Sequence, residues 1–148
     1  MHIPVLLLFI YVFTGFIQRE GTASAEITEV KFSGTEQDYT FDVTIKSPDT
    51  GCDQYADWWE VISVSSGLIY RRILGHSHVS EQPFTRSGGK VNISADEEVI
   101  VRAHMNNTGY GSKAMTGSVR KGFKSIDLEK DFAVGLESES PLPEGCAF

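Results

Sequence analysis

The sequence predicts an all-β fold, an antiparallel seven-stranded β-sandwich carried behind an N-terminal export signal. Three observations predict it. Residues 39–46 alternate apolar and polar without a fault (Tyr39, Phe41, Val43 and Ile45 against Thr40, Asp42, Thr44 and Lys46), which marks a strand with one buried face. Other short apolar segments recur between turns rich in Gly, Ser, Asn and Asp. No long stretch before Gly122 carries a helical period.

The elements follow in order. Residues 3–17 are apolar and uncharged, too short for the roughly 20 residues that span a bilayer core. A polar stretch follows, then Ala23-Ser24-Ala25, the small-x-small pattern of a signal-peptidase site. Residues 1–25 thus read as a cleaved signal peptide, with Glu26 as the first residue of the mature chain. Its competitor is an uncleaved anchor. The first strand is 27–33, with Val30 and Phe32 on one face, and 34–38 turn into the second at 39–46. The third is 58–64. Ser65, Ser66 and Gly67 turn the chain into the fourth at 68–74. A short fifth strand covers 91–93, and 95–98 turn into the sixth at 99–104. The seventh is 114–119. Seven short strands of this kind suit the immunoglobulin or fibronectin type III style of sandwich, with a small closed barrel as the alternative. Adjacent Trp58 and Trp59 point to opposite faces of one strand, one into the core and one to an edge or to solvent. Residues 26–123 form the domain. Residues 124–148 read as an acidic tail, with a helical turn or two in 125–136 and an extended or disordered run after it.

The chain has 148 residues and a net charge of −7. An acidic exported chain without a basic run argues against nucleic-acid partners. With no second apolar run, no membrane insertion is expected after signal cleavage. The expected localisation is secreted or periplasmic. In such an oxidising setting, Cys52 and Cys146 read as a disulfide that ties the tail back to the domain.

If the strands alternate in direction, the long connections 47–57, 75–90 and 105–113 share one end. They carry the unusual chemistry: Tyr55 and Asp57 in the first; His76, His78, Glu81, Phe84 and Arg86 in the second; and Tyr110 in the third, which follows His104. Loops on a rigid scaffold are the usual place for binding residues. Aromatic and Arg side chains on an acidic chain suit a non-catalytic binding module, whose ligand is an unknown protein, glycan or small molecule. A second reading is a periplasmic copper- or zinc-binding protein using His76, His78 and His104. Each histidine also has a plainer role, holding a long loop by hydrogen bonds. Calcium spacing is absent from the acidic residues. A small hydrolase is the remaining reading; Ser77, Ser80 and Ser87 lie near histidines, but none sits in a nucleophile elbow. Asn92-Ile93-Ser94 and Asn106-Asn107-Thr108 match the glycosylation sequon, which matters only in a eukaryotic secretory pathway.

The segments 55–61, 75–87 and 101–104, with Thr108-Gly109-Tyr110-Gly111, resemble a group of small exported bacterial β-rich proteins of unassigned function. The resemblance spans about residues 55–115. It implies a periplasmic or extracellular setting and brings no activity, substrate or catalytic residue.

Overall fold

The computed structural model describes residues 22–148. Most of the expected signal peptide, residues 1–21, lies outside the described residues. The described strands are β1 (Glu26–Thr35), β2 (Asp38–Lys46), β3 (Ala56–Ser63), β4 (Leu68–Ile73), β5 (Phe84–Val91), β6 (Val99–Met105), β7 (Gly109–Tyr110), β8 (Lys113–Ser118) and β9 (Gly122–Asp127), with a short 3-10 turn at Val134–Ser138. One sheet has the order β1-β2-β5; the other runs β4-β3-β6-β8-β9, with β7 paired to β6. The strand pairs are antiparallel. The all-β expectation holds, and the two sheets face each other as a sandwich.

The core forms where the apolar faces meet. Phe41, Val43 and Ile45 of β2 are fully buried against Trp59, Val61, Val101 and Ala103 of the larger sheet. Strand β2 keeps the alternation that the sequence displays. Strands β3 and β6 are buried along almost their whole length, so both of their faces are covered. The outer cover is a second apolar cluster. Ile62, Ile100 and Ala114 of the sheet meet Leu136, with Leu128, Phe132 and Ala133 packed against them. The chain after β9 therefore forms a third layer.

That layer corrects several expectations. The described residues hold nine strands, not seven. The tail does not begin at residue 124: residues 122–127 are β9, an edge strand paired to β8, and the only helical turn after it is 134–138. The remainder is not a free acidic tail, because it covers the sheet. Both tryptophans are buried, Trp58 at 3% and Trp59 at 0% exposure; the third layer takes the face that an uncovered strand would leave to solvent. The expected connection 75–90 is also too long. Its second half is β5, which pairs with β2 from Ile45↔Phe84 to Tyr39↔Val91. The sequence hides β5 because its buried position 88 carries no side chain. A Cβ on Gly88 would lie 2.7 Å from the Tyr70 hydroxyl and 2.8 Å from the Trp59 ring. Glycine there lets two aromatic rings press against the strand backbone.

Among the described residues, no helix is long and apolar enough to cross a membrane.

Candidate functional site

The three long connections meet, and buried polar groups hold them together. Asp49 is the centre of the first junction. Its Oδ1 accepts from the Ser47 hydroxyl at 2.7 Å and the Ala56 N–H at 3.0 Å. Its Oδ2 accepts from the His78 N–H at 2.8 Å. Gln82 closes the same junction: Oε1 accepts the Ser47 N–H at 2.9 Å, and Nε2 donates to the His78 carbonyl at 3.1 Å. Asn106 makes the second junction. Its side chain accepts from the Tyr55 N–H and donates to the Cys52 carbonyl, both at 2.9 Å. Backbone polar groups at a loop crossing need partners, and these three side chains supply them.

The chain's last residues close over this end. Cys52 and Cys146 form the expected disulfide, with Cα atoms 5.6 Å apart. Beyond it, the Ala147 N–H donates to the Gly75 carbonyl and the Ser77 N–H to the Phe148 oxygen, each at 2.8 Å. The Phe148 ring stacks on His76 at 4.6 Å. His76 lies 4.4 Å from His78, and His78 stacks on Phe84 at 3.7 Å. Phe148, His76, His78 and Phe84 thus form one continuous stack from the surface to β5. His78 is buried, and neither of its ring nitrogens has a hydrogen-bond partner. Burial pushes its pKa down, helped by Arg86 and His76 and opposed by Asp49 and Glu81. Exposed Glu81 pairs with Arg86 at 2.9 Å, which lowers the Glu81 pKa.

His104 belongs to a different place. Residue 57 is the extra residue of a bulge, because Ala56 pairs with Met105 while Trp58 already pairs with His104. A bulge re-aims a side chain, and here Asp57 Oδ1 comes to 2.6 Å from His104 Nδ1. His104 Nε2 lies 3.4 Å from Glu137 of the third layer. Trp58 stacks on the imidazole at 3.6 Å, and Tyr110 meets it edge-on at 4.9 Å. A shallow cleft of ≈ 450 Å³ opens beside His104, between Asn106–Gly109 and Glu137. Burial, together with the Glu60 carboxylate, raises the Tyr110 pKa. Burial also raises that of Tyr55, with Asp57 and Asp49 adding to it.

Behind Tyr110, Glu60 lies between Arg71 and Arg102. All three side chains are buried. Cross-strand register puts them there: Glu60 pairs with Arg71 on one side and Arg102 on the other. Glu60 leaves each guanidinium with free N–H groups, and these point at the third layer. Arg102 donates to the carbonyls of Phe132 at 2.7 Å and Ala133 at 2.9 Å. Arg71 donates to the carbonyls of Leu136 at 2.7 Å and Pro141 at 3.0 Å. The Arg102 guanidinium also sits 3.3 Å over the Tyr110 ring.

The structure brings together His76, His78, Phe84, Glu81 and Arg86, and separately Asp57, His104 and Tyr110. It does not bring the three histidines together. His104 lies on the outer face of the larger sheet with Trp58, whereas His78 stacks on a residue of the smaller one. Among the described residues, no group of three His, Cys, Asp or Glu side chains is placed to hold a metal ion. Tyr55 contributes through its backbone, to Asn106. Sequence reasoning missed Asp49, Gln82 and Glu60, and it offered Arg71 and Arg102, with Arg72 and Arg86, as donors to a partner, whereas the structure buries Arg71 and Arg102 against Glu60. Only Glu60 and Arg102 left a signal of this pairing, as charged residues within the largely apolar strands β3 and β6.

Fold and site together define an antiparallel β-sandwich domain with one end built from cross-braced loops. No family model matches the chain, and no solved structure matches it. It is similar to a putative lipoprotein of Halomicrobium mukohataei, 40% identical over 82 residues. The match covers 55% of this chain and 40% of that protein, so the chain spans about two fifths of the length of the relative.

Proposed function

We propose that this chain is an exported, non-catalytic binding module of fibronectin type III type, secreted or periplasmic, which meets its partner through the long-loop end. Two features support the type. β1-β2-β5 oppose β4-β3-β6-β8, and β4 pairs with β3 rather than joining the smaller sheet. That arrangement departs from the constant immunoglobulin order, in which the fourth strand lies beside the fifth. Strand β9 is an addition to it. Export is supported by the apolar run at 3–17 and by a relative whose name is putative lipoprotein.

One observation carries the binding reading. The loop end is locked internally by Asp49, Gln82 and Asn106, yet it leaves large apolar side chains outside: Val79 is 57% exposed and Phe148 73%. They flank the His76–His78 pair, next to the Glu81–Arg86 ion pair. A preorganised surface with apolar contacts and a polar rim is suited to a partner. The test is a screen of the exported protein against immobilised glycans and displayed peptides. The best binder is then measured with Val79→Asp and with Val64→Asp, the same change at the opposite end of the sandwich, where Val64 is 60% exposed. The expected result is at least tenfold weaker binding for Val79→Asp and none of that loss for Val64→Asp. Equal effects, or no binder in either screen, overturn the reading.

A further inference from the structure

We infer that the signal peptide is removed between Ala23 and Ser24, so that the mature domain begins at Ser24 and not at Glu26. This rests on the export reading above. Signal peptidases select small residues at the first and third positions before the cut. Two frames place Gly or Ala at both positions: Gly21 with Ala23, and Ala23 with Ala25. The residue pattern alone does not separate them.

The fold separates them. Ala25 is fully buried and belongs to the main core with Ile27 and Val30. Ser24 is half-buried and Thr22 is exposed. The contact at Gly111 points the same way. A Cβ there would lie 1.8 Å from the Ala25 carbonyl oxygen, so no side chain fits at position 111 while Ala25 is in place. Gly111 is not among the positive-φ glycines, and backbone conformation gives no reason for it. The Ala25 carbonyl gives one: the domain is shaped around residue 25. A cut after Ala25 would remove that residue from the core and put the new amino group on half-buried Glu26, at the start of β1 where it pairs with Lys46. A cut after Ala23 keeps Ala25 in the core and puts the amino group on half-buried Ser24, which lines a cleft whose charged residues are Arg102, Glu129 and Lys130. The Thr108 hydroxyl loses its bond to the Ala23 carbonyl; that bond is exposed, and water replaces the acceptor at little cost.

The step is hydrolysis of one peptide bond. Water adds across Ala23 C and Ser24 N, leaving a carboxylate on Ala23 and an ammonium on Ser24. The full chain is expressed in a host with a general secretory pathway, and the product outside the cytoplasm is analysed by intact mass and N-terminal sequencing. A second arm uses Gly21→Leu, which spoils the Ala23 frame and leaves the Ala25 frame untouched. The expected results are a start at Ser24 for the native chain, and loss or displacement of that cut in Gly21→Leu. A start at Glu26, with Gly21→Leu processed normally, overturns the inferred cut but leaves export standing. A cytoplasmic chain still beginning at Met1 overturns export, and the inferred cut with it.

Discussion

Arg102 donates its Nε–H to Glu60 Oε1 at 2.8 Å, and the same guanidinium holds the carbonyls of Phe132 and Ala133. One buried carboxylate therefore fixes the cation that fixes the third layer. Glu60→Gln keeps the shape and removes the charge, leaving two buried arginines without a counter-ion. Breaking a buried pair by removing one partner costs about 3–5 kcal/mol. The expected outcome is destabilisation of that order in urea unfolding, with earlier proteolysis in 128–141 than in the sandwich. Retained stability with a protected third layer would show that the cluster is not what holds it.

The Cys52–Cys146 bond closes a separation of 94 residues. In the chain-entropy account, a loop of this size contributes about 4.7 kcal/mol. The pair Cys52→Ser with Cys146→Ser is expected to lower the thermal midpoint. It is also expected to raise hydrogen exchange at the Ala147 and Ser77 amides before the core amides change.

Acid should weaken the fold through His78. Its folded pKa lies below the ordinary 6.5 because of burial, with Arg86 and His76 adding to the shift. The unfolded chain therefore takes up a proton before the folded one does. His78's contribution is fully present above about pH 6.5 and is lost as the pH falls from there towards the depressed folded value. His78→Phe is expected to flatten the stability–pH curve in that window. An unchanged slope in the variant would assign the acid sensitivity to another group.

These predictions draw on features of unequal legibility. Strand β2 was readable because its core faces one side only, so burial and alternation coincide. Strand β5 was not: its buried centre is Gly88, and a glycine gives no apolar signal. Strands β3 and β6 carried Glu60 and Arg102 among apolar residues, a departure from pattern that marks a covered outer face. Without the third layer in view, one of the two adjacent tryptophans had to go to an edge or to solvent, and the alternation did not say which. The convergence of the loops was legible from connection lengths. Its cause was not, because Asp49 and Gln82 are ordinary loop residues by type and act through backbone groups far away in sequence. The three histidines were visible, but the bulge that pairs His104 with Asp57 was not, since a bulge leaves no compositional mark.

Asp49 offers the last test, of how the loop end keeps its shape. It is buried and accepts from the Ala56 N–H, the His78 N–H and the Ser47 hydroxyl. Asp49→Ala removes the acceptor of two backbone donors that lie on buried residues, Ala56 and His78. Each unsatisfied buried donor costs about 1–3 kcal/mol, so unfolding should show a loss of several kcal/mol. Asp49→Asn keeps one acceptor oxygen and is expected to lose less. The local readout is hydrogen exchange at Ala56 and His78, which rises first if Asp49 braces the first and second loops against each other. If both amides stay protected in Asp49→Ala, Gln82 and the disulfide suffice to hold this end, and binding by the Val79 surface should survive the substitution.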